Sequence, residues 1–139
     1  MSARTKARKR AVEALFAADI RSTDAVDQLA AAKAQAKQRQ NQDDIFGYAE
    51  QLVAGVTSNL ADIDTYLEAY SEGWSVERMP FFDRAVMRVA VWEILYNPEV
   101  SDPVAIAEAV ALAKEYSTDE SPSFVNGLLA RISATKSAI

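Results

Sequence analysis

Five cationic side chains stand within the first ten residues, Arg4, Lys6, Arg8, Lys9 and Arg10, and no acid stands among them. Guanidinium and ammonium groups at this density suit a phosphate backbone, because each neutralised phosphate releases condensed counterions. The same cluster also suits a solubilising tail, and charge alone does not separate the two. The segment runs into an apolar stripe of helical spacing, Val12, Leu15, Phe16 and Ile20, so the cations occupy the first turns of a helix. Bases at that end oppose the helix dipole, at a cost of roughly a few tenths of a kcal/mol each, which a bound anion would relieve.

Aromatic rings are the second set of candidates. Phe16 lies one to two turns beyond Lys9, and Phe124 stands at the edge of a stripe beginning at Val125. Exposed rings beside cations stack the unpaired bases of single-stranded RNA, at about 1–3 kcal/mol per base. Taken singly, each ring also fits ordinary core packing.

Other chemistry is poorly supplied. The 139 residues include no Cys and no His, which excludes disulfides, thiolate nucleophiles, iron–sulfur clusters, histidine metal sites and Ser-His-Asp catalysis. Asp62 and Asp64 stand two apart and diverge on a helix. They also lack the glycine turn of a calcium loop. There is no glycine-rich phosphate loop and no nucleophile elbow. Carboxylates, Lys, Arg, Tyr, Ser and Thr remain as usable chemistry, and nothing positive among them supports an enzyme, a metal site or a cofactor.

The formal charge is −5, from 15 basic and 20 acidic side chains. Outside the first ten residues, ten bases face all twenty acids, and residues 41–77 hold eight acids and no base. Such an acidic body repels polyanions except at its basic end. Half the residues are hydrophobic and a quarter charged, which is the balance of a globular chain. The most apolar run, from Ala85 to Tyr96, is broken by Arg88 and Glu93, so no membrane span is expected and the protein reads as cytoplasmic.

Seven helices are needed to place these groups, and no strand-period segment competes with them. The first runs from about Arg4 to Asp19. The second follows the Ser22-Thr23-Asp24 cap to about Arg39, before a polar stretch at residues 38–42. The third starts at Asp43-Asp44 and carries the cleanest stripe, Ile45, Tyr48, Ala49, Leu52, Val53 and Val56. The fourth carries Ile63, Tyr66, Leu67 and Tyr70 and stops at Gly73. The fifth, from Pro80 to about Tyr96, is apolar nearly all round and is expected at the centre. Arg84, Arg88 and Glu93 interrupt it, and a charge there must be paired or must reach an edge; Asp83 suits the helix start by its dipole. Ser101-Asp102-Pro103 opens the sixth helix, with Ile106, Ala109, Val110 and Ala113 inward. Ser121-Pro122 opens the seventh, striped by Val125, Leu128, Leu129 and Ile132, with Gly127 permitting a close helix approach.

Several stretches, in this order and spacing, carry a resemblance. They are residues 7–16 (ARKRAVEALF), 52–56 (LVAGV), 83–88 (DRAVMR) with Trp92-Glu93, 108–114 (EAVALAK) and 124–129 (FVNGLL). Together they make the chain similar to the NusB family of bacterial transcription antitermination factors, from Ala7 to about Ile132. The resemblance implies an all-α, NusB-like fold, about seven helices in two small perpendicular bundles. The whole chain, 1–139, would be one domain with residues 1–10 as its basic arm. It implies no catalysis. It implies binding of boxA-type single-stranded RNA together with a small-ribosomal-subunit protein acting as NusE, within the RNA polymerase antitermination complex, notably on ribosomal RNA operons. RNA contacts would fall on Arg4, Lys6, Arg8, Lys9, Arg10, Phe16, Tyr116 and Phe124, and a protein-partner contact on Asp83. Where relatives often carry Ile-Asn-Glu-Ala, this chain has Ile106-Ala107-Glu108-Ala109, so that Asn's contact is missing. The resemblance also allows a homodimer of the free protein. The alternative is a helical protein-interaction adaptor of the same fold without RNA binding. A NusB-like domain leading an RNA cytosine methyltransferase is disfavoured, because the chain lacks room for the catalytic domain and its cysteines.

Overall fold

A computed structural model of the chain describes residues 2–36 and 41–136. Seven α-helices account for most of them: α1 Ala3–Arg21, α2 Ala25–Gln35, α3 Gln42–Ser58, α4 Leu60–Tyr70, α5 Phe81–Tyr96, α6 Asp102–Tyr116 and α7 Ser121–Thr135. A short 3-10 turn at Val76–Arg78 precedes α5, and no strand occurs among the described residues. The fold is all-α, as the periodicity predicts. The helix expected to reach Arg39 ends at Gln35, and the polar stretch falls largely on residues 37–40, outside the described set.

The basic segment is helix rather than tail. Ser2 caps α1 by accepting the Thr5 backbone N–H at 3.1 Å, so the cations project from an ordered cylinder. The buried stripe of α1 differs from the one its large residues suggest. Ala7, Ala11, Ala14 and Ala18 line it with Val12 and Leu15, whereas Ile20 is exposed. Small side chains let α1 lie close against α3 and α5, its neighbours along with α2.

The central element is α5, which packs on α1, α3, α4, α6 and α7. It is buried from Ala85 through Ile94. The α3 and α7 stripes are buried as expected, joined by Phe46. On α6 the buried residues are Ala105, Ala109, Leu112 and Ala113, with Ile106 and Val110 only half-buried. The stripe is therefore rotated by one position. Helix α4 ends at Tyr70, three residues before Gly73; Glu72 and Gly73 both take positive φ, at 58° and 97°, and turn the chain towards α5.

Close approach occurs at a different glycine from the expected one. A Cβ at Gly127 would meet only the movable Arg131 guanidinium, at 3.3 Å. At Gly55, on α3, a Cβ would overlap the indole of Trp92 on α5. Gly55→Ala is thus expected to destabilise the fold by about 1–3 kcal/mol through overpacking, with Trp92 fluorescence shifting towards that of a more exposed indole. Gly127→Ala should change stability by less, and urea unfolding of the two variants compares them.

Candidate nucleic-acid interface

A helical repeat of 3.6 residues divides the basic segment into two faces. Arg8 lies inward and is 4 % exposed. Its Nε donates to both carboxylate oxygens of Glu93 on α5, at 2.9 and 3.0 Å, and its Nη1 lies 3.2 Å from Glu108 on α6. Glu93 is 1 % exposed and also accepts a short hydrogen bond from the Tyr48 hydroxyl of α3. Burial by itself lowers the Arg8 pKa, but the hydrogen bond and charge of Glu93, aided by Glu108, raise it overall. Arg8 is consequently a core ion pair. Its burial and its two carboxylate partners set it apart from the exposed cations of the basic segment.

Arg4 is half exposed and shared between a 3.2 Å pair with Glu99 and the Tyr48 ring, 4.5 Å from its guanidinium carbon. Lys6 is exposed. Lys9 places Nζ 5.0 Å from the Tyr116 ring centroid, and the nearness of the Tyr116 hydroxyl raises its pKa. Arg10 lies over the buried Phe46 ring at 5.3 Å. Among the described residues, Lys6, Lys9 and Arg10 make no ion pair. These three form the available cationic edge.

The rings fall into two groups. Phe16 meets Phe82 edge-on at 5.7 Å, and Phe82 meets Tyr116 at 5.9 Å, so a continuous aromatic ridge ends beneath Lys9. Tyr116 is 43 % exposed, whereas Phe16 and Phe82 are half-buried. Lys9 therefore reaches Phe16 only through this ridge. Phe124 stands apart, edge-on to Trp74 at 6.4 Å, and the two rings border an open cavity of about 200 Å³ with Met79, Pro80 and Ser121. Phe82 and Trp74 are the members that sequence reading missed. Trp74 carried a signal, a large ring in a polar, acidic turn; Phe82 carried none, because Phe81 beside it has the same composition and only packing chose between them.

Asp83 is buried and lines the cavity that Trp74 and Phe124 border. Ser117 donates to Oδ1 at 2.6 Å and Ser121 to Oδ2 at 2.7 Å, so Asp83 pins the α6–α7 turn to the start of α5. The position of Tyr116 beside Ser117, and of Phe124 one turn beyond Ser121, follows from that clamp. The other charges of α5 pair as expected: Arg84 with Asp19 at 2.9 Å, and Arg88 with Asp19 at 3.0 Å and with both oxygens of Asp64.

Two measurements check this geometry. Arg8→Ala leaves Glu93 buried without its cation and should cost about 3 kcal/mol or more in urea unfolding, whereas Lys6→Ala should be near neutral. Burial, with the Glu93 hydrogen bond, pushes the Tyr48 pKa up to about 12 from its usual 10. The unfolded chain loses that proton first, so stability should fall as pH rises from about 10 to 12. Tyr48→Phe should flatten the loss across that window.

No helix among the described residues is long and apolar enough to cross a membrane. Comparison with known proteins gives consistent matches. The model of the family described as "NusB family" matches residues 5–134. The transcription antitermination protein NusB of Arthrobacter sp. (strain FB24) is 51% identical over 140 residues, covering 100% of this chain and 98% of that protein. Among solved structures, T. maritima NusB superposes with a TM-score of 0.83 at 32% identity, covering 94% of this chain and 90% of the other. A structure of antitermination factors NusB and NusE in complex with dsRNA superposes with a TM-score of 0.84 at 24% identity, covering 97% and 98%, a likeness of fold.

Proposed function

The chain belongs to the NusB family, and from that premise we propose that it is a non-enzymatic transcription antitermination factor that holds boxA-type single-stranded RNA jointly with the ribosomal protein NusE. The observation that carries this reading is the meeting of α1 with the ring ridge. Lys9 stands over Tyr116, with Lys6 and Arg10 unpaired nearby on the same helix, so cations and stacking surfaces adjoin. Phosphates would lie along α1, and unpaired bases would stack on Tyr116 and on the Trp74–Phe124 pair. The body beyond α1 is acidic and directs a polyanion to this edge.

The NusE part of the reading draws support from the solved complex of NusB and NusE with dsRNA, carried here through the shared fold. Asp83 shapes the surface on which the partner would dock, through its clamp on Ser117 and Ser121, and lines the open cavity there. Phe81 and Trp74, both exposed beside it, offer apolar area there.

Fluorescence anisotropy with a labelled single-stranded boxA RNA, titrated with salt in the presence of NusE, tests the proposal. Replacing Lys6, Lys9 and Arg10 together with Ala should weaken binding and make the salt dependence shallower, by about 0.7 in log–log slope for each phosphate no longer neutralised. An unchanged slope with folding intact would leave the adaptor reading in its place.

A further inference from the structure

Arg4 differs from the other accessible cations of α1 in having two neighbours with opposite consequences. Below it lies the Tyr48 ring, 4.5 Å from the guanidinium carbon to the ring centroid. That ring is fixed: its hydroxyl donates to Glu93 and accepts from Asn97 Nδ2 at 3.1 Å, and the residue is buried. A guanidinium held over a fixed ring by cation–π attraction stays near one place while its N–H groups remain free to bond an oxygen beside it. Beside it lies Glu99, in the α5–α6 connection, with a side chain 69% exposed; it accepts from Arg4 Nη2 at 3.2 Å.

Carboxylate and phosphate oxygens compete for the same guanidinium fork. The pair with Glu99 is exposed on both sides, so it is weak and readily exchanged. The Arg8–Glu93 pair, a turn further along, is sealed and cannot exchange. We propose that Tyr48 is a positioning residue that presents Arg4 to an RNA phosphate, and that Glu99 occupies Arg4 as a stand-in for that phosphate when RNA is absent. Glu99 thereby sets the affinity of the N-terminal helix for RNA, because the strand must displace it. This inference rests on the RNA-binding reading above and adds to it a residue that opposes binding.

The experiment is a double-mutant cycle on the full chain with NusE, read by anisotropy of the labelled single-stranded boxA RNA across a salt series. Glu99→Gln should tighten binding about two- to fivefold at low salt, the scale of an exposed ion pair. The gain should vanish in the Arg4→Ala background, and Arg4→Ala alone should reduce the salt slope by about 0.7. A gain of the same size in the Arg4→Ala background would mean general charge repulsion and would overturn the proposal, as would no gain at all. Tyr48→Phe keeps the ring and should keep the wild-type salt slope despite lower stability. Tyr48→Leu, if folded by circular dichroism, should lose the slope as Arg4→Ala does; a wild-type slope there overturns the positioning role. If Tyr48→Leu does not fold, the Glu99 and Arg4 cycle decides. Failure of the unmodified chain to bind the RNA overturns the RNA reading itself, a result distinct from a silent Glu99.

Discussion

A guanidinium and a carboxylate, each almost wholly removed from water, meet where α1, α3, α5 and α6 converge. Arg8 and Glu93 bond through both carboxylate oxygens, Tyr48 closes the remaining side, and Glu108 takes the outer edge of the guanidinium. Desolvating two charges offsets most of their attraction, so such a pair adds little net stability over apolar packing. Its effect is on register. A slide or rotation of α1 by one residue would leave a bare charge in the core, and only one docking of α1 avoids that. The alanine stripe of α1 permits the close approach that the pair requires.

The candidate surface inherits its order from this constraint. With α1 held, its 3.6-residue repeat sends Arg8 inward and leaves Lys6, Lys9 and Arg10 facing out. The start of α5 then places Phe82 between Phe16 and Tyr116, and the Asp83 clamp on Ser117 and Ser121 sets the α6–α7 turn that carries Tyr116 and Phe124. Phe16, Phe82 and Tyr116, from three different helices, thus form one ridge along α1, with Phe124 apart from it. A second group, Asp19 and Asp64 on Arg84 and Arg88, ties α1 and α4 to α5 at the opposite end.

The dipole conflict at the start of α1 is answered within the chain. No acid occupies its first turn, yet Glu93, Glu99 and Glu108, remote in sequence, supply three carboxylates to Arg4 and Arg8. Arg8 is relieved without a bound anion, because its pair is sealed, whereas the exposed pair of Arg4 can exchange. Arg4, Lys6, Lys9 and Arg10 carry the case for one.

Helix number, class and most boundaries were legible in the residues, because amphipathic spacing, Pro at helix starts and Ser or Asp caps act over a few residues and need no partner. So were the acidic body, its basic end and the absence of histidine and cysteine chemistry. The need for pairing at Arg84, Arg88 and Glu93 was legible as well, since a charge in an apolar helix admits few solutions. Which partner each would find was not. Arg8 reads as one more cation until Glu93, 85 residues away, is brought beside it. Asp83 reads as a surface acid until two serines close over it, and Phe82 and Phe81 are interchangeable until α1 and α6 choose one. Gly55 and Gly127 likewise look alike in their helices, and only the Trp92 indole distinguishes them. Local periodicity determines which elements form; burial of a particular charge or ring depends on contacts distant in the chain, and the tertiary structure alone decides those.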